Sequence, residues 1–164
     1  MVVYLRVRLT RTHIQQTRFV RLAEQVLRAA GEASSELSVE LIGDLRMRRL
    51  NRVYRGKDRT TDVLAFPMRE PLSFRTSLRA PDMLGDVVIS VPTALRQARE
   101  AGRTPEEELA ALLVHGILHL CGYDHERNDQ EAARMRQREQ AILRAIRPVP
   151  RLVTSRVEQG RRSR

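Results

Sequence analysis

The sequence predicts a single domain of the α/β (α+β) class, in which helices surround a mixed sheet of about four strands. Its 164 residues are enough for one hydrophobic core. Segments in which apolar and polar residues alternate are interspersed with segments of helical periodicity. One segment, 109–121, is apolar on almost every side, which is typical of a helix buried at the centre of a domain.

The first half of the chain contains two strand patterns and two helix patterns. Over residues 2–9, leucine and valine alternate with arginine, which predicts a half-buried strand. Apolar residues recur at helical spacing over 12–30, and Gly31 follows where a left-handed C-cap belongs. A second alternating segment, 37–41, ends at Gly43, after which Asp44 is the predicted cap of a short helix. The predicted order is therefore strand, helix, strand, helix.

The middle of the chain predicts two more strands. The polar segment YRGKDRTTD (54–62) indicates a loop that leads into a third strand at 63–66. Residues 67–82 contain three prolines and predict a long connection to a fourth strand at 84–91. We expect the third and fourth strands to pair, and a helix to follow over 92–101.

The central helix predicted over 109–121 has a strong start signal. Thr104 supplies an N-cap hydroxyl, and Pro105 fits the first helical position. Glu107 is placed to complete a capping box with Thr104. Gly122 ends this helix. A last amphipathic helix is predicted from Asn128 until Pro148.

The C-terminus differs in composition from the rest of the chain. Prolines, a glycine and six arginines fall within residues 147–164, with few apolar residues among them. This composition is typical of a mobile tail. We therefore predict one domain over 1–147 and a basic, mobile tail over 148–164.

Charge and cysteine content narrow the class of partner and the compartment. The formal net charge of +10 favours a polyanion such as RNA over an acidic protein or a membrane. Cys121 is the single cysteine, so no intramolecular disulfide is possible and a reducing compartment is expected. No apolar run has the length of a signal peptide core or a membrane span. These observations predict a soluble, cytoplasmic protein with no membrane partner.

Three of the four histidines lie within eleven residues, on and just after the central helix. His115 and His119 are one helical turn apart and project from the same side of the helix. His125 follows a glycine that allows the chain to turn back. Three imidazoles leave one position of a tetrahedral zinc ion open, which is typical of catalytic zinc. The spacing predicts one zinc ion bound by His115, His119 and His125.

Several alternatives for this segment remain open from the sequence. The histidines could be hydrogen-bonded core residues, and Cys121 could be a fourth ligand, although it lies on about the opposite side of the helix. Zinc peptidases of the HExxH class have a glutamate after the first histidine, where this chain has Gly116. Asp124 and Glu139 are candidate general bases, for which capping or surface roles are the simpler interpretation.

The string HGILHLCGYDH (115–125) closely resembles the YbeY family of bacterial metallo-endoribonucleases. The resemblance extends over most of residues 37–143. It includes three further regions: LNRVYRGKDRTTDVLAFP (50–67), LGDVVIS (84–90), and the acidic helix with Met135 and Glu139. It implies a single-strand-specific, zinc-dependent endoribonuclease that acts on the ribosome, in maturation of the 3′ end of small-subunit ribosomal RNA and in ribosome quality control.

The same resemblance implies that Arg55, in YRGKD, is the catalytic arginine. A guanidinium can bind a phosphate with two hydrogen bonds, which agrees with this role. Water and the RNA 2′-hydroxyl both remain possible nucleophiles. Arginines 46, 48, 49 and 52 could extend the site into a basic groove. A zinc metallopeptidase and a non-catalytic zinc protein that binds RNA or the ribosome are the alternative functions.

Overall fold

The computed structural model describes residues 1–69 and 82–155. Its elements in chain order are β1 (Val2–Val7), β2 (Thr12–Ile14), α1 (Gln16–Ala29), β3 (Ser35–Ile42), α2 (Asp44–Arg55), β4 (Val63–Pro67), β5 (Asp82–Ser90), α3 (Val91–Glu100), α4 (Pro105–Leu120), α5 (Asp129–Ala145) and β6 (Val153–Ser155). Most of the connection predicted over 67–82 lies outside the described residues.

The main sheet has four strands in the order β1-β3-β5-β4. β1, β3 and β5 are parallel, whereas β4 pairs with β5 in the antiparallel direction. The mixed four-stranded sheet and the pairing of the strands at 63–66 and 84–91 are thus confirmed. β4 is an edge strand, and its residues line the pocket described below.

The two faces of the sheet are covered differently. Leu37, Val39 and Leu41 on β3 point into the main core, together with the buried residues of α1 and α4. Ile42 points to the opposite face, where a smaller apolar cluster includes Met47 of α2. The alternation of β3 thus sends successive side chains to different layers, and α2 lies on the face opposite α4.

α4 begins as the sequence predicts. The Thr104 hydroxyl accepts from the Glu107 backbone N–H at 3.1 Å, and the Glu107 carboxylate accepts from the Thr104 N–H at 3.1 Å. Ten of the 16 residues of α4 are buried, so α4 is the central helix of the domain. No helix within the described ranges is long and apolar enough to cross a membrane.

The structure differs from the sequence prediction at three places. The first is the start of α2, where Gly43 is the N-cap and Asp44, the predicted cap, is the first residue of the helix.

The other two differences are at the start of α1 and at the C-terminal boundary of the domain. Residues 12–14 form β2, not the first turn of α1, and β2 pairs with β6 near the C-terminus. The domain therefore extends past the predicted boundary at 147, because Leu152 is fully buried in the main core. The Glu106 carboxylate also accepts from the backbone N–H groups of Leu152 and Val153 at 3.0 and 3.2 Å. Residues 156–164 of the predicted tail lie outside the described residues.

Candidate metal centre

The three histidines of the predicted zinc site lie together in the structure. His115 and His119 project from α4, and Gly122, at φ +97°, turns the chain so that His125 returns to the same place. One nitrogen of each ring lies within 4.8 Å of the others. The ring centroids of His125 are 5.2 and 5.1 Å from those of His115 and His119. Among the described residues, these three histidines form the group of histidine, cysteine or acidic side chains that could hold a metal ion.

The geometry and donor chemistry of the cluster fit a zinc ion. The Nε2 atoms of His115 and His119 are 3.1 Å apart. Two nitrogens on a tetrahedral zinc ion, each at about 2.0–2.1 Å, are separated by about 3.3 Å. Three imidazole ligands also leave a fourth position for a non-protein ligand, which suits a catalytic ion.

Glu139 of α5 orients the first of these rings. The Nδ1–H of His115 donates to Glu139 Oε1 at 2.6 Å, and both side chains are partly buried. With the proton on Nδ1, the lone pair of Nε2 is directed into the cluster. A carboxylate behind a metal-binding histidine is a common second partner that fixes the orientation and tautomer of the ring. The contact gives Glu139 a positioning role in place of a surface role.

Burial lowers the pKa of His119, and the neighbouring rings of His115 and His125 lower it further. The neutral imidazole is the form that binds a metal ion. The surroundings of His119 therefore favour its ligand form near neutral pH.

Arg55 lies in the same pocket as the three histidines. This pocket has a volume of about 470 Å³, and residues of β4 form part of its lining. Arg55 belongs to the last turn of α2, not to a loop as predicted, because α2 continues until Gly56 adopts the left-handed C-cap conformation. Its side chain is 41% exposed and lies 3.9 Å from Glu126. The guanidinium is therefore free to contact a ligand in the pocket.

The loop after α2 is held in place by its own contacts. Arg48 donates two hydrogen bonds to Asp58, at 3.0 and 3.2 Å. The buried Asn51 side chain donates to the Arg59 carbonyl at 2.8 Å. These contacts fix the path from the end of α2 to β4, and so hold Arg55 beside the pocket.

Asp62 and Glu126 line the pocket, although the sequence prediction assigned neither of them a role in the site. Asp62 accepts from the Val63 N–H at 2.7 Å and from the Gln97 side chain at 3.2 Å, which leaves it beside the pocket at the start of β4. Glu126 directly follows the third histidine, and this position was the one signal for its placement.

Gly116 explains why the glutamate of the HExxH motif is absent. A Cβ atom at this position would lie 2.7 Å from the buried Val87 side chain and 3.4 Å from that of Val63. α4 packs against the sheet here, so there is no room for a glutamate beside the first histidine. This packing disfavours the zinc peptidase alternative.

The remaining candidates from the sequence lie away from the cluster. The Cys121 thiol points to Glu32 at 3.7 Å, and burial, with the nearby Glu32 charge, raises its pKa to about 11. It packs against the main core and is not in the histidine cluster. Asp124 is exposed and accepts from the Glu126 N–H at 3.0 Å, as a turn residue does.

Comparison with known proteins shows which protein family this chain belongs to. A family model described as "Endoribonuclease YbeY" matches residues 5–147. The chain belongs to the YbeY endoribonuclease family. An endoribonuclease YbeY from Aquifex aeolicus is 44% identical over 137 residues, which cover 84% of this chain and 87% of the relative. One from Geobacter sulfurreducens is 49% identical over 127 residues, 77% of this chain and 83% of the relative.

A solved structure shares the fold. The solution structure of a Thermotoga maritima protein has a TM-score of 0.61 and 27% identity, with 88% of each chain covered. The regions that carry the resemblance to the YbeY family, including the histidine segment and the YRGKD segment, all fall within the matched residues 5–147.

Proposed function

We propose that this protein is a zinc-dependent endoribonuclease that cleaves single-stranded RNA. The proposal rests on one observation: Arg55 and the three histidines of the cluster line the same pocket. Membership of an endoribonuclease family supports RNA phosphodiester hydrolysis as the reaction. The family resemblance further suggests that the substrate is small-subunit ribosomal RNA, cleaved at its 3′ end in maturation and in ribosome quality control.

His115, His119 and His125 would hold one zinc ion. When bound, zinc supplies Lewis-acid stabilisation of a phosphoryl oxygen and a nucleophile at neutral pH. Glu139 keeps the His115 ring in the tautomer whose Nε2 is unprotonated.

Arg55 binds the scissile phosphate and stabilises the negative charge that develops on its non-bridging oxygens. A guanidinium presents two parallel N–H groups to a phosphate, and its charge persists at all physiological pH values. Glu126, at 3.9 Å, limits the positions that the Arg55 side chain adopts when no phosphate is bound. The substrate phosphate then replaces this weak, exposed ion pair.

The ribosome in the cytoplasm is the partner that we infer. A net charge of +10 attracts a polyanion and suits contact with ribosomal RNA.

Cleavage of a labelled, unstructured RNA by zinc-loaded protein tests the proposal, with a duplex of the same sequence for comparison. We expect cleavage of the single strand only. The His119→Ala and Arg55→Glu variants, purified identically, should be inactive while staying folded by circular dichroism. Arg55→Lys should restore little activity, because an ammonium cannot form the bidentate contact. Removing one such stabilising donor lowers kcat about 100-fold or more.

Two controls keep the result interpretable. Arg99→Gln removes an exposed charge on α3 that does not line the pocket, and this variant should cleave as the wild type does. Equal cleavage by wild type, His119→Ala and Arg55→Glu would mean a contaminating nuclease. A folded wild type that binds RNA but never cleaves it would favour the non-catalytic zinc protein.

A further inference from the structure

A row of exposed arginines on α2 continues beyond the pocket. Arg46, Arg49, Arg52 and Arg55 follow each other at intervals of three residues, and all four are exposed. On an α-helix, such positions form a ridge whose neighbouring Cβ atoms are about 5–6 Å apart. These four side chains, which we call the arginine ridge, thus wind continuously around the exposed side of α2.

The arginine ridge joins two cavities. At one end, Arg55 lines the pocket of the three histidines. At the other end, Arg46 and Arg49 line a second cavity of about 450 Å³, together with Arg8 and Arg11 from the segment after β1. From Arg46 to Arg55 the helix rises about 13 Å. The second cavity is therefore separate from the metal centre but connected to it by positive charge.

The positive charge of the second cavity is largely uncompensated. Arg8 forms an ion pair with Glu40 at 3.3 Å. Arg11, Arg46 and Arg49 form no ion pair with any residue in the described part of the chain. Several guanidinium groups that converge without carboxylates repel one another, and an anion in the cavity relieves this repulsion.

We propose that the arginine ridge and the second cavity bind the phosphate backbone of the RNA substrate. The strand extends from the metal centre along α2, and a phosphate several positions from the cleavage site enters the second cavity. This inference rests on the proposed function, since it assigns a path to the same substrate. Contacts to phosphates alone carry no base information, so this part of the binding is tolerant of sequence and depends strongly on salt.

The salt dependence of RNA binding tests this path. Fluorescence anisotropy with a labelled, unstructured RNA of about 12 nucleotides measures the Kd of the zinc-loaded protein at several salt concentrations. The double variant Arg46→Gln/Arg49→Gln removes two contacts, each worth a slope of about 0.7 in log Kd against log salt. We expect the slope to fall by about 1.4 and the affinity at about 0.15 M salt to fall roughly tenfold.

Two further variants separate a specific path from net charge. Arg21→Gln/Arg28→Gln removes the same charge from exposed positions of α1, on the other face of the sheet, and should keep the wild-type slope. Arg46→Lys/Arg49→Lys should also keep most of the slope, because lysine binds phosphate as a point charge. Equal losses in both glutamine variants, or no loss in the α2 variant, would overturn the inference.

The cleavage assay distinguishes this inference from the proposed function. If the wild type cleaves RNA but Arg46→Gln/Arg49→Gln keeps the full salt slope, the proposed function stands and the proposed path along α2 is wrong. If the salt slope of Arg46→Gln/Arg49→Gln falls as expected but the wild type never cleaves RNA, the arginine ridge is an RNA-binding surface and the endoribonuclease proposal fails.

Discussion

The two helices that supply the pocket, α4 and α2, differ in almost every physical property. α4 is apolar on nearly all sides and has ten buried residues of 16, whereas α2 buries only Met47 and Asn51. α4 begins with a side-chain capping box, and α2 begins at a glycine with no side-chain cap. Both nevertheless end beside the same cavity, α4 with two histidines and α2 with Arg55.

This difference suits the two tasks proposed above for the helices, metal binding for α4 and phosphate binding for α2. Metal binding needs ligands held within a few tenths of an ångström, and a helix packed on all sides provides that precision. Phosphate binding needs charge on an exposed surface, and the exposed side of α2 can carry arginines at little cost to the core. Substitutions in α4 should therefore change stability and metal binding, whereas those on the exposed side of α2 should leave stability unchanged. Four predictions test this contrast.

The largest effect is expected for Leu113→Ala in α4. Leu113 is fully buried in the main core, and the substitution leaves a cavity beside the metal-binding turns. We expect the free energy of unfolding to fall by about 2–5 kcal/mol. Urea denaturation measures this value, and a loss below about 1 kcal/mol would mean that the core of α4 repacks easily.

Removal of the carboxylate behind His115 should weaken metal binding. In Glu139→Ala the Nδ1–H of His115 loses its acceptor at 2.6 Å. We expect zinc affinity to fall about 10–100-fold, which is about 1.4–2.7 kcal/mol. Competition with a chromophoric chelator measures the affinity. The exposed neighbour variant Gln140→Ala should bind zinc as the wild type does, and equal affinities in all three proteins would contradict the positioning role of Glu139.

Asp44, at the first turn of α2, should contribute stability that depends on pH. Burial raises the pKa of Asp44, but hydrogen bonds from Thr93, Ser90 and Arg96 outweigh this and hold the pKa below its ordinary value of 3.8. The stabilisation is therefore present above about pH 4 and is lost as the pH falls below that value. Asp44→Asn should cost about 1–2 kcal/mol at pH 7.

Urea denaturation at pH 7 and pH 3 checks the Asp44 prediction. The difference between wild type and Asp44→Asn should shrink at pH 3, because the unfolded chain binds a proton at Asp44 below its ordinary pKa of 3.8. A constant difference at both pH values would show that the charge of Asp44 does not act through these hydrogen bonds.

The smallest effect is expected on the exposed side of α2. The Val53 side chain is 71% exposed, so Val53→Ser should change the free energy of unfolding by no more than about 0.5 kcal/mol. Thermal unfolding beside Leu113→Ala gives the direct contrast between the two helices. A loss comparable with that of Leu113→Ala would mean that this side of α2 is covered in solution.

Local patterns were sufficient to predict most of the fold. The four strands of the main sheet, the capping box of α4 and the pairing of β4 with β5 follow from periodicity and turn residues near each element. The approach of the three histidines was also predictable, because His115 and His119 are one helical turn apart and Gly122 permits the return to His125.

The rest depends on contacts between distant parts of the chain. β2 and β6 are three residues each, too short for a periodic pattern, and Ile14 also fits the helical spacing of α1. The contact from Glu139 to His115 requires the packing of α5 on α4, which no local pattern specifies. The extension of α2 through Arg55 was missed because Gly56, the residue that ends the helix, lies inside a polar segment (54–62) that resembles a loop.

The docking of the C-terminal segment has a consequence for synthesis of the protein. Leu152 completes the main core, β6 pairs with β2 from the start of the chain, and Glu106 at the first turn of α4 binds the backbone beside Leu152. Because a nascent chain emerges from its N-terminus, the helix that carries the histidines is made before the segment that closes the domain around it. The metal centre therefore reaches its final support only after residues 152–155 have also left the ribosome.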